Sequence, residues 1–171
     1  MDNLGSREKP VALVLGFGNL LWGDDGAGIV AVEMLAEKEL PADVRVEAAG
    51  LPGFGLAAWL QDEQFASLQR LIIVDAAHMG LSPGAWRRFT PGEVRLIARG
   101  EIQSLHQADL SSGLELAQAL GLLPEEVVFY AVQPESLEEG AGLSASVQAA
   151  LPKMIEQITL ELWNCRGEHE Q

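Results

Sequence analysis

Two adjacent carboxylates follow a glycine-rich turn near the start of the chain, in the sequence GFGNLLWGDDGAG at residues 16–28. They belong to Asp24 and Asp25, and a helical pattern begins directly after them. Glycine-rich turns before a helix usually hold phosphate, because the free N–H groups and the dipole of a helix N-terminus attract anions. Two negative charges in that position argue against phosphate and favour a cation.

The turn departs from the common nucleotide-binding motifs. The dinucleotide fingerprint G-x-G-x-x-G begins at Gly16, but Leu21 stands where its third glycine belongs. A P-loop would need a Gly-Lys-Ser/Thr sequence, which does not follow. We interpret Asp24 as the N-cap of the helix, because an acid in the first turn stabilises a helix by roughly 0.3–1 kcal/mol. One cap does not explain both acids, and this leaves Asp25 to face a cation.

A second acid and a histidine are expected near Asp25. Asp75 follows the apolar run LIIV, at the carboxyl end of a predicted strand. With strand order 2-1-3 this strand lies beside the first one, and ligands of open α/β sheets bind at the carboxyl ends of two such strands. His106 in SLHQADL precedes a helical pattern, while His169 lies in the tail, so His106 and His78 are the candidate imidazoles. Asp25, Asp75 and His106 together would make an incomplete metal shell with open positions.

Short apolar runs alternate with helical patterns along the chain. Continuous runs are typical of strands buried on both faces, and we predict strands at 11–15, 44–48, 71–74, 85–89 and 127–132. We predict helices at 26–38, 54–64, 109–120 and 144–162, with Pro152 kinking or interrupting the last helix or marking its true start.

The alternation predicts an α/β fold of three layers, α/β/α, with an open, mostly parallel twisted sheet of about five strands. The 171 residues suit a single domain spanning 1–171, with flexible tails at 1–9 and 164–171.

Composition limits the partners. The net charge of −14 would repel nucleic acid and anionic lipid, so we expect neither as a partner. The single cysteine, Cys165, cannot form a disulfide within the chain and suits a reducing compartment. Without a signal-peptide pattern or a long apolar run, we expect a cytoplasmic protein that does not enter the membrane.

Four segments in order resemble the hydrogenase maturation endopeptidases, over roughly residues 11–160. GFGNLLWGDDGAG is similar to the opening motif of that family, IIVDAAHMG to its strand ending in Asp, SLHQADL to its histidine motif, and VVFYAVQPESLEEGAGLS to its late strand and Q-P segment. The resemblance implies an endopeptidase that trims the C-terminus of the [NiFe]-hydrogenase large-subunit precursor. It also implies that Asp25, Asp75 and His106 contact nickel, which the precursor itself supplies.

The chain departs from the family after the second strand. The family tends to have an Asp-Gly-Gly-Thr-like turn there, whereas this chain has Ala48, Ala49, Gly50 and Leu51, leaving Gly50 and Gly53 to make the turn. His78 stands where the family often has an acid.

Two other functions remain open. One is a metallohydrolase that carries its own divalent metal, and the other is a non-catalytic module that binds nickel or a peptide. The way in which the peptide bond is attacked also stays open. The metal could polarise the carbonyl or a bound water, with a carboxylate as base, or it could only position the substrate.

Overall fold

The computed structural model describes residues 9–50, 55–90, 103–104, 107–140 and 142–164. Within these ranges the strands are β1 (Ala12–Phe17), β2 (Val44–Gly50), β3 (Arg70–His78), β4 (Trp86–Phe89), β5 (Gln103–Ser104) and β6 (Glu126–Val132). The α-helices are α1 (Ala27–Ala36), α2 (Gly55–Leu60), α3 (Gln107–Ala119) and α4 (Ala145–Asn164), and short 3-10 helices cover Gly23–Gly26 and Glu63–Phe65. None of the helices in the described part of the chain is both long enough and apolar enough to cross a membrane.

The strands form one mostly parallel sheet in the order β2-β1-β3-β6-β4. β1 runs parallel to β2 and β3, and β6 runs parallel to β3, whereas β4 is antiparallel to β6. The predicted 2-1-3 order and the five predicted strands are therefore confirmed. β5, which pairs antiparallel with the end of β3, was not predicted, because two residues carry no hydrophobic period.

Both faces of the sheet are covered, which explains the continuous apolar runs. Val14 and Ile72 point to the face packed by α1 and α4, and their neighbours Leu13 and Ile73 point to the face packed by α2 and α3. The three-layer architecture is thereby confirmed. It places the carboxyl ends of β1, β3 and β6 along one edge of the sheet.

Two predicted helices differ from the observed ones. The pattern at 54–64 forms α2 and then a separate 3-10 helix, because the Asp62 carboxylate accepts a hydrogen bond from the Gln64 amide (3.0 Å) and starts a new turn. α4 begins at Ala145 and continues through Pro152, so an interruption or a start at that proline is wrong. Proline cannot donate to the carbonyl of Gln148, but both residues are exposed and water can reach that group.

Candidate active site

Two glycines of the opening motif let α1 lie directly on the sheet. A Cβ atom added at Gly28 would lie 2.3 Å from the carbonyl oxygens of both Phe17 on β1 and Val74 on β3. A Cβ atom at Gly16 would lie 2.2 Å from the carbonyl oxygen of Gly28. No side chain fits at such distances, so α1 begins over the junction between β1 and β3. This packing accounts for both glycines without a bound phosphate.

The backbone of Asp25 lies against the end of β1. Gly18 has a φ of +134°, a value that favours glycine, and a Cβ atom there would lie 1.9 Å from the carbonyl oxygen of Asp25. The amide of Asp25 donates to the carbonyl oxygen of Trp22 at 3.1 Å. Asp25 is only 5% exposed. The carboxylate predicted to face a cation is therefore held at the end of β1 and largely shielded from water.

Asp24 is fully buried and is not the cap of α1. Its carboxylate accepts hydrogen bonds from the amides of Glu135 (2.7 Å), Ser136 (3.0 Å) and Ser144 (2.6 Å), and from the Ser144 hydroxyl (2.8 Å). The predicted cap role is wrong, since the residue before α1, Gly26, makes no side-chain cap and Asp24 binds a distant segment. Asp24 fixes the loop that runs from β6 to the start of α4.

These contacts determine the charge state of Asp24. Burial alone would raise the pKa of its carboxyl group, because the charged form loses hydration. The hydrogen bonds from the amides of Ser136, Ser144 and Glu135 and from the Ser144 hydroxyl outweigh that effect, so the pKa lies below its ordinary value. Asp24 is therefore ionised at neutral pH and binds structural donors.

Asp75 lies within β3 and not at its end. β1 pairs with β3 only as far as Val74, so Asp75 is the first residue of β3 beyond that pairing, and β3 continues to His78. Asp75 is 5% exposed, and one carboxylate oxygen accepts a hydrogen bond from the amide of Ala76 at 2.8 Å. By strand alternation its side chain points to the face of Ile73.

Asp25 and Asp75 thus both lie near the carboxyl ends of β1 and β3, the two strands between which the strand order reverses. Helix α1 begins over the junction between these strands. Two shielded carboxylates at such a point can supply oxygen ligands to a metal ion, or one of them can act as a general base. The chemistry predicted for these two acids is compatible with their positions.

The two candidate histidines are not placed beside these acids in the described part of the chain. His106 lies outside the described residues. His78 is exposed at the end of β3, with its Nδ1 atom 3.4 Å from Nε2 of Gln133, and alternation directs it to the face opposite Asp75. Among the residues that the structure describes, no three His, Cys, Asp or Glu side chains form a group suited to a metal ion.

Comparison with known proteins identifies the family. A family model, HycI, hydrogenase maturation protease, matches residues 29–161. The chain belongs to the hydrogenase maturation protease family. It is therefore a protease, and this assignment favours catalysis over a non-catalytic binding module.

Relatives of this hydrogenase maturation protease cover most of its length. It is 36% identical to the hydrogenase expression/formation protein HoxM of Azotobacter vinelandii over 160 residues, which are 92% of this chain and 74% of that protein. Its fold is similar to that of the hydrogenase maturating endopeptidase HybD from E. coli, with a TM-score of 0.78 and 31% identity over 90% of this chain and 93% of that one. The [NiFe] hydrogenase maturation protease HybD from Thermococcus kodakarensis is also similar, with a TM-score of 0.74 and 32% identity. The match covers 88% of this chain and 98% of that one.

Gln133 is a structural residue of this protease that the residue types alone did not single out. It is buried, and its side-chain oxygen accepts hydrogen bonds from the amides of Met79 (2.7 Å) and Leu81 (3.3 Å). Its own backbone amide donates to the carbonyl oxygen of Ala85 at 2.7 Å. Gln133 therefore fixes the turn after β3. The available signal was a polar residue directly after the buried run VVFYAV.

The turn after β2, where the protease departs from the family pattern, is described only at its start. Gly50 has a φ of +62°, and its carbonyl oxygen accepts a hydrogen bond from the amide of Gly18 at 3.1 Å. Gly50 thus links the end of β2 to the glycine turn after β1. Leu51 and Gly53 lie outside the described residues, so the prediction that Gly53 completes the turn stays a prediction.

Proposed function

We propose that this hydrogenase maturation protease removes a short C-terminal extension from a [NiFe]-hydrogenase large-subunit precursor that already holds nickel. Asp25, Asp75 and His106 contact the nickel of the precursor, so that the metal is part of the substrate. The single cysteine suits a reducing compartment, and we place the reaction in the cytoplasm.

One observation carries the proposal: two shielded acids, Asp25 and Asp75, lie near the carboxyl ends of the neighbouring strands β1 and β3. Asp24, the neighbour of Asp25 in sequence, accepts four hydrogen bonds from the β6–α4 segment. Asp24 therefore has a structural role, and we assign the metal contact to Asp25 and Asp75 from their positions near the ends of β1 and β3.

The described neighbours of His106 support its membership of the site. Ser104 on β5 pairs with Ala77 on β3, two residues beyond Asp75. Helix α3 begins at Gln107 and packs on the sheet face to which Asp75 points. The strand that ends at Ser104 therefore lies against β3 close to Asp75, and the helix that begins at Gln107 packs on the same face of the sheet.

Three protein ligands would leave open coordination positions, which substrate thiolates can complete. Binding would then require a metal-loaded precursor, because neither partner alone supplies a full shell. The two acids of the site are hard oxygen donors, and a metal held by them can polarise the carbonyl of the scissile bond or simply position it.

The deciding experiment measures the C-terminal mass of purified precursor after incubation with the protease, with and without nickel on the precursor. The protease is treated with a chelator and desalted beforehand, so that any metal in the reaction comes from the substrate. We expect a short C-terminal loss only with nickel-loaded precursor. Cleavage of both precursors, or cleavage that needs metal returned to the protease, would contradict a substrate-borne nickel and favour an enzyme with its own metal.

A further inference from the structure

Three consecutive large apolar side chains lie in water beside the candidate site. Leu20, Leu21 and Trp22 are 52%, 65% and 47% exposed, and we call them the apolar turn. Single exposed apolar residues are common on protein surfaces and need no explanation. Contiguous exposed apolar side chains are typical of a surface that contacts another molecule, because leaving them in water is unfavourable and does not stabilise the fold.

The exposure of the apolar turn is imposed by its backbone. The amides of Leu21 and Trp22 donate to the side-chain oxygen (3.0 Å) and carbonyl oxygen (3.1 Å) of Asn19. The carbonyl oxygen of Leu21 accepts a hydrogen bond from the amide of Gly140 at 2.8 Å. These bonds hold the turn from both sides and present its side chains outward, so a partner would meet a preformed surface.

The apolar turn is continuous with the candidate active site. The carbonyl oxygen of Trp22 accepts the hydrogen bond of the Asp25 amide, so the exposed indole and the site carboxylate belong to one hydrogen-bonded turn. A partner that covers the turn is therefore positioned next to Asp25.

Acidic residues border the apolar turn on the side of the β6–α4 loop. Glu138 and Glu139 are exposed and directly precede Gly140, which donates to Leu21. Gly23 follows the apolar turn, and a Cβ atom added there would lie 3.3 Å from the carbonyl oxygen of Glu138. This acidic rim favours a partner segment in which lysine or arginine accompanies apolar residues.

We propose that the apolar turn and its acidic rim dock the large-subunit precursor through an apolar segment flanked by lysine or arginine, close to the metal-bearing part that enters the site. The proposal rests on the proposed function and extends it from the metal to the protein surface around it. A second copy of this chain fits less well, since a symmetric dimer through the turn would set the two acidic rims against each other.

The test compares the kinetics of precursor processing by Leu21→Ser with those of Leu160→Ser, a matched control on α4 whose leucine is 51% exposed. Removal of an apolar contact made equally in the ground state and the transition state raises KM and leaves kcat unchanged. We expect Leu21→Ser to raise KM about tenfold, the loss typical of one buried leucine contact, with kcat within about twofold of wild type. Leu160→Ser should match wild type in both constants.

The rim is tested by the double substitution Glu138→Gln and Glu139→Gln. We expect a smaller rise in KM, and a KM that depends less on salt concentration than that of wild type, because screened charge pairs contribute to the encounter. Equal KM values for Leu21→Ser and Leu160→Ser would overturn the proposal. A second result would also overturn it. If the wild-type protein is a dimer, and Leu21→Ser makes it a monomer without changing KM, then the apolar turn joins two copies of the chain.

Failure of the proposed function gives a different result. A wild-type protein that neither binds nor shortens the nickel-loaded precursor would overturn the proposed function, and the docking surface with it. If the wild-type protein shortens the precursor and Leu21→Ser does so with an unchanged KM, only the docking proposal is overturned.

Discussion

Ser144 donates two hydrogen bonds to the carboxylate of Asp24, one from its amide at 2.6 Å and one from its hydroxyl at 2.8 Å, across 120 residues of sequence. The first residue of α4 follows Ser144, and the site residue Asp25 follows Asp24. This pair therefore joins the start of the last helix to the turn that carries the candidate active site.

Asp24→Ala should lower the free energy of unfolding by about 2–4 kcal/mol, because it leaves the partly buried amides of Glu135, Ser136 and Ser144 without their acceptor. Urea denaturation at neutral pH measures this loss. Asp62→Ala is the matched control, since it removes a single exposed hydrogen bond and should cost less than about 1 kcal/mol. Similar losses of stability for the two variants would show that Asp24 does not hold the β6–α4 loop in place.

The fold should lose stability on acidification, partly through Asp24. Its folded-state pKa lies below the ordinary value of 3.8, so its hydrogen bonds stabilise the fold fully above about pH 4, and this contribution is lost as the pH falls through the folded-state pKa. Asp24→Asn should therefore show a weaker fall in stability between neutral pH and about pH 3. Denaturation curves at both pH values test this, and parallel slopes for wild type and variant would contradict it.

Glu161 should contribute to the acid sensitivity in the same direction. Burial raises the pKa of this carboxyl group, but hydrogen bonds from Arg88 (2.9 Å each) and the Tyr130 hydroxyl (2.6 Å) lower it below its ordinary value overall. Its stabilising effect is present above the unfolded pKa and is lost as the pH falls through the folded one. Glu161→Gln should flatten the pH profile without changing precursor processing at neutral pH, and an activity loss larger than the stability loss would contradict a structural role.

Gly28→Ala should destabilise the fold and reduce processing, because a Cβ atom there meets the carbonyl oxygens of Phe17 and Val74 at 2.3 Å. Relief requires α1 to move away from the β1–β3 junction, with an expected cost of about 1–3 kcal/mol. Gly55→Ala is the control, since nothing lies within 4 Å of its added Cβ atom and alanine favours a helix. Melting temperatures of the two variants should change in opposite directions.

Asp25→Asn and Asp75→Asn should each abolish processing of nickel-loaded precursor while the protein stays folded. Both changes preserve volume and remove the negative charge with which a carboxylate attracts a metal cation. Activity and melting temperature are measured on the same preparations, with Glu156→Gln, an exposed acid on α4, as control. Normal processing by either variant would remove that residue from the site.

His106→Ala extends this test to the residue that lies outside the described part of the chain. Processing should be lost, as for the two acids, because an imidazole ligand cannot be replaced by a methyl group. His78→Ala should retain activity, since His78 is exposed and points to the face opposite Asp75. The reverse result would assign the imidazole of the site to His78.

The sequence predicted the fold well where continuous apolar runs alternate with helical patterns. Runs such as LIIV indicate strands buried on both faces, and Asp75 could be placed near the carboxyl end of β3 from that run, although the strand continues to His78. β5 is too short to show a period, and the break between α2 and the following 3-10 helix depends on one hydrogen bond of Asp62. Local reasoning failed for Asp24, because capping rules consider only the next few residues, whereas its partners come from residues 135–144.

The bond between Asp24 and Ser144 also affects the order in which the protein matures during its own synthesis. The ribosome releases the chain from the N-terminus, so β1, α1 and the glycine turn emerge long before Ser144 does. Until then the carboxylate of Asp24 lacks the donors of Glu135, Ser136 and Ser144, and only local hydrogen bonds hold the turn that carries Asp25. The candidate site is therefore completed only after Ser144 has left the ribosome, so that the residues around Asp25 depend on a segment synthesised 120 residues later.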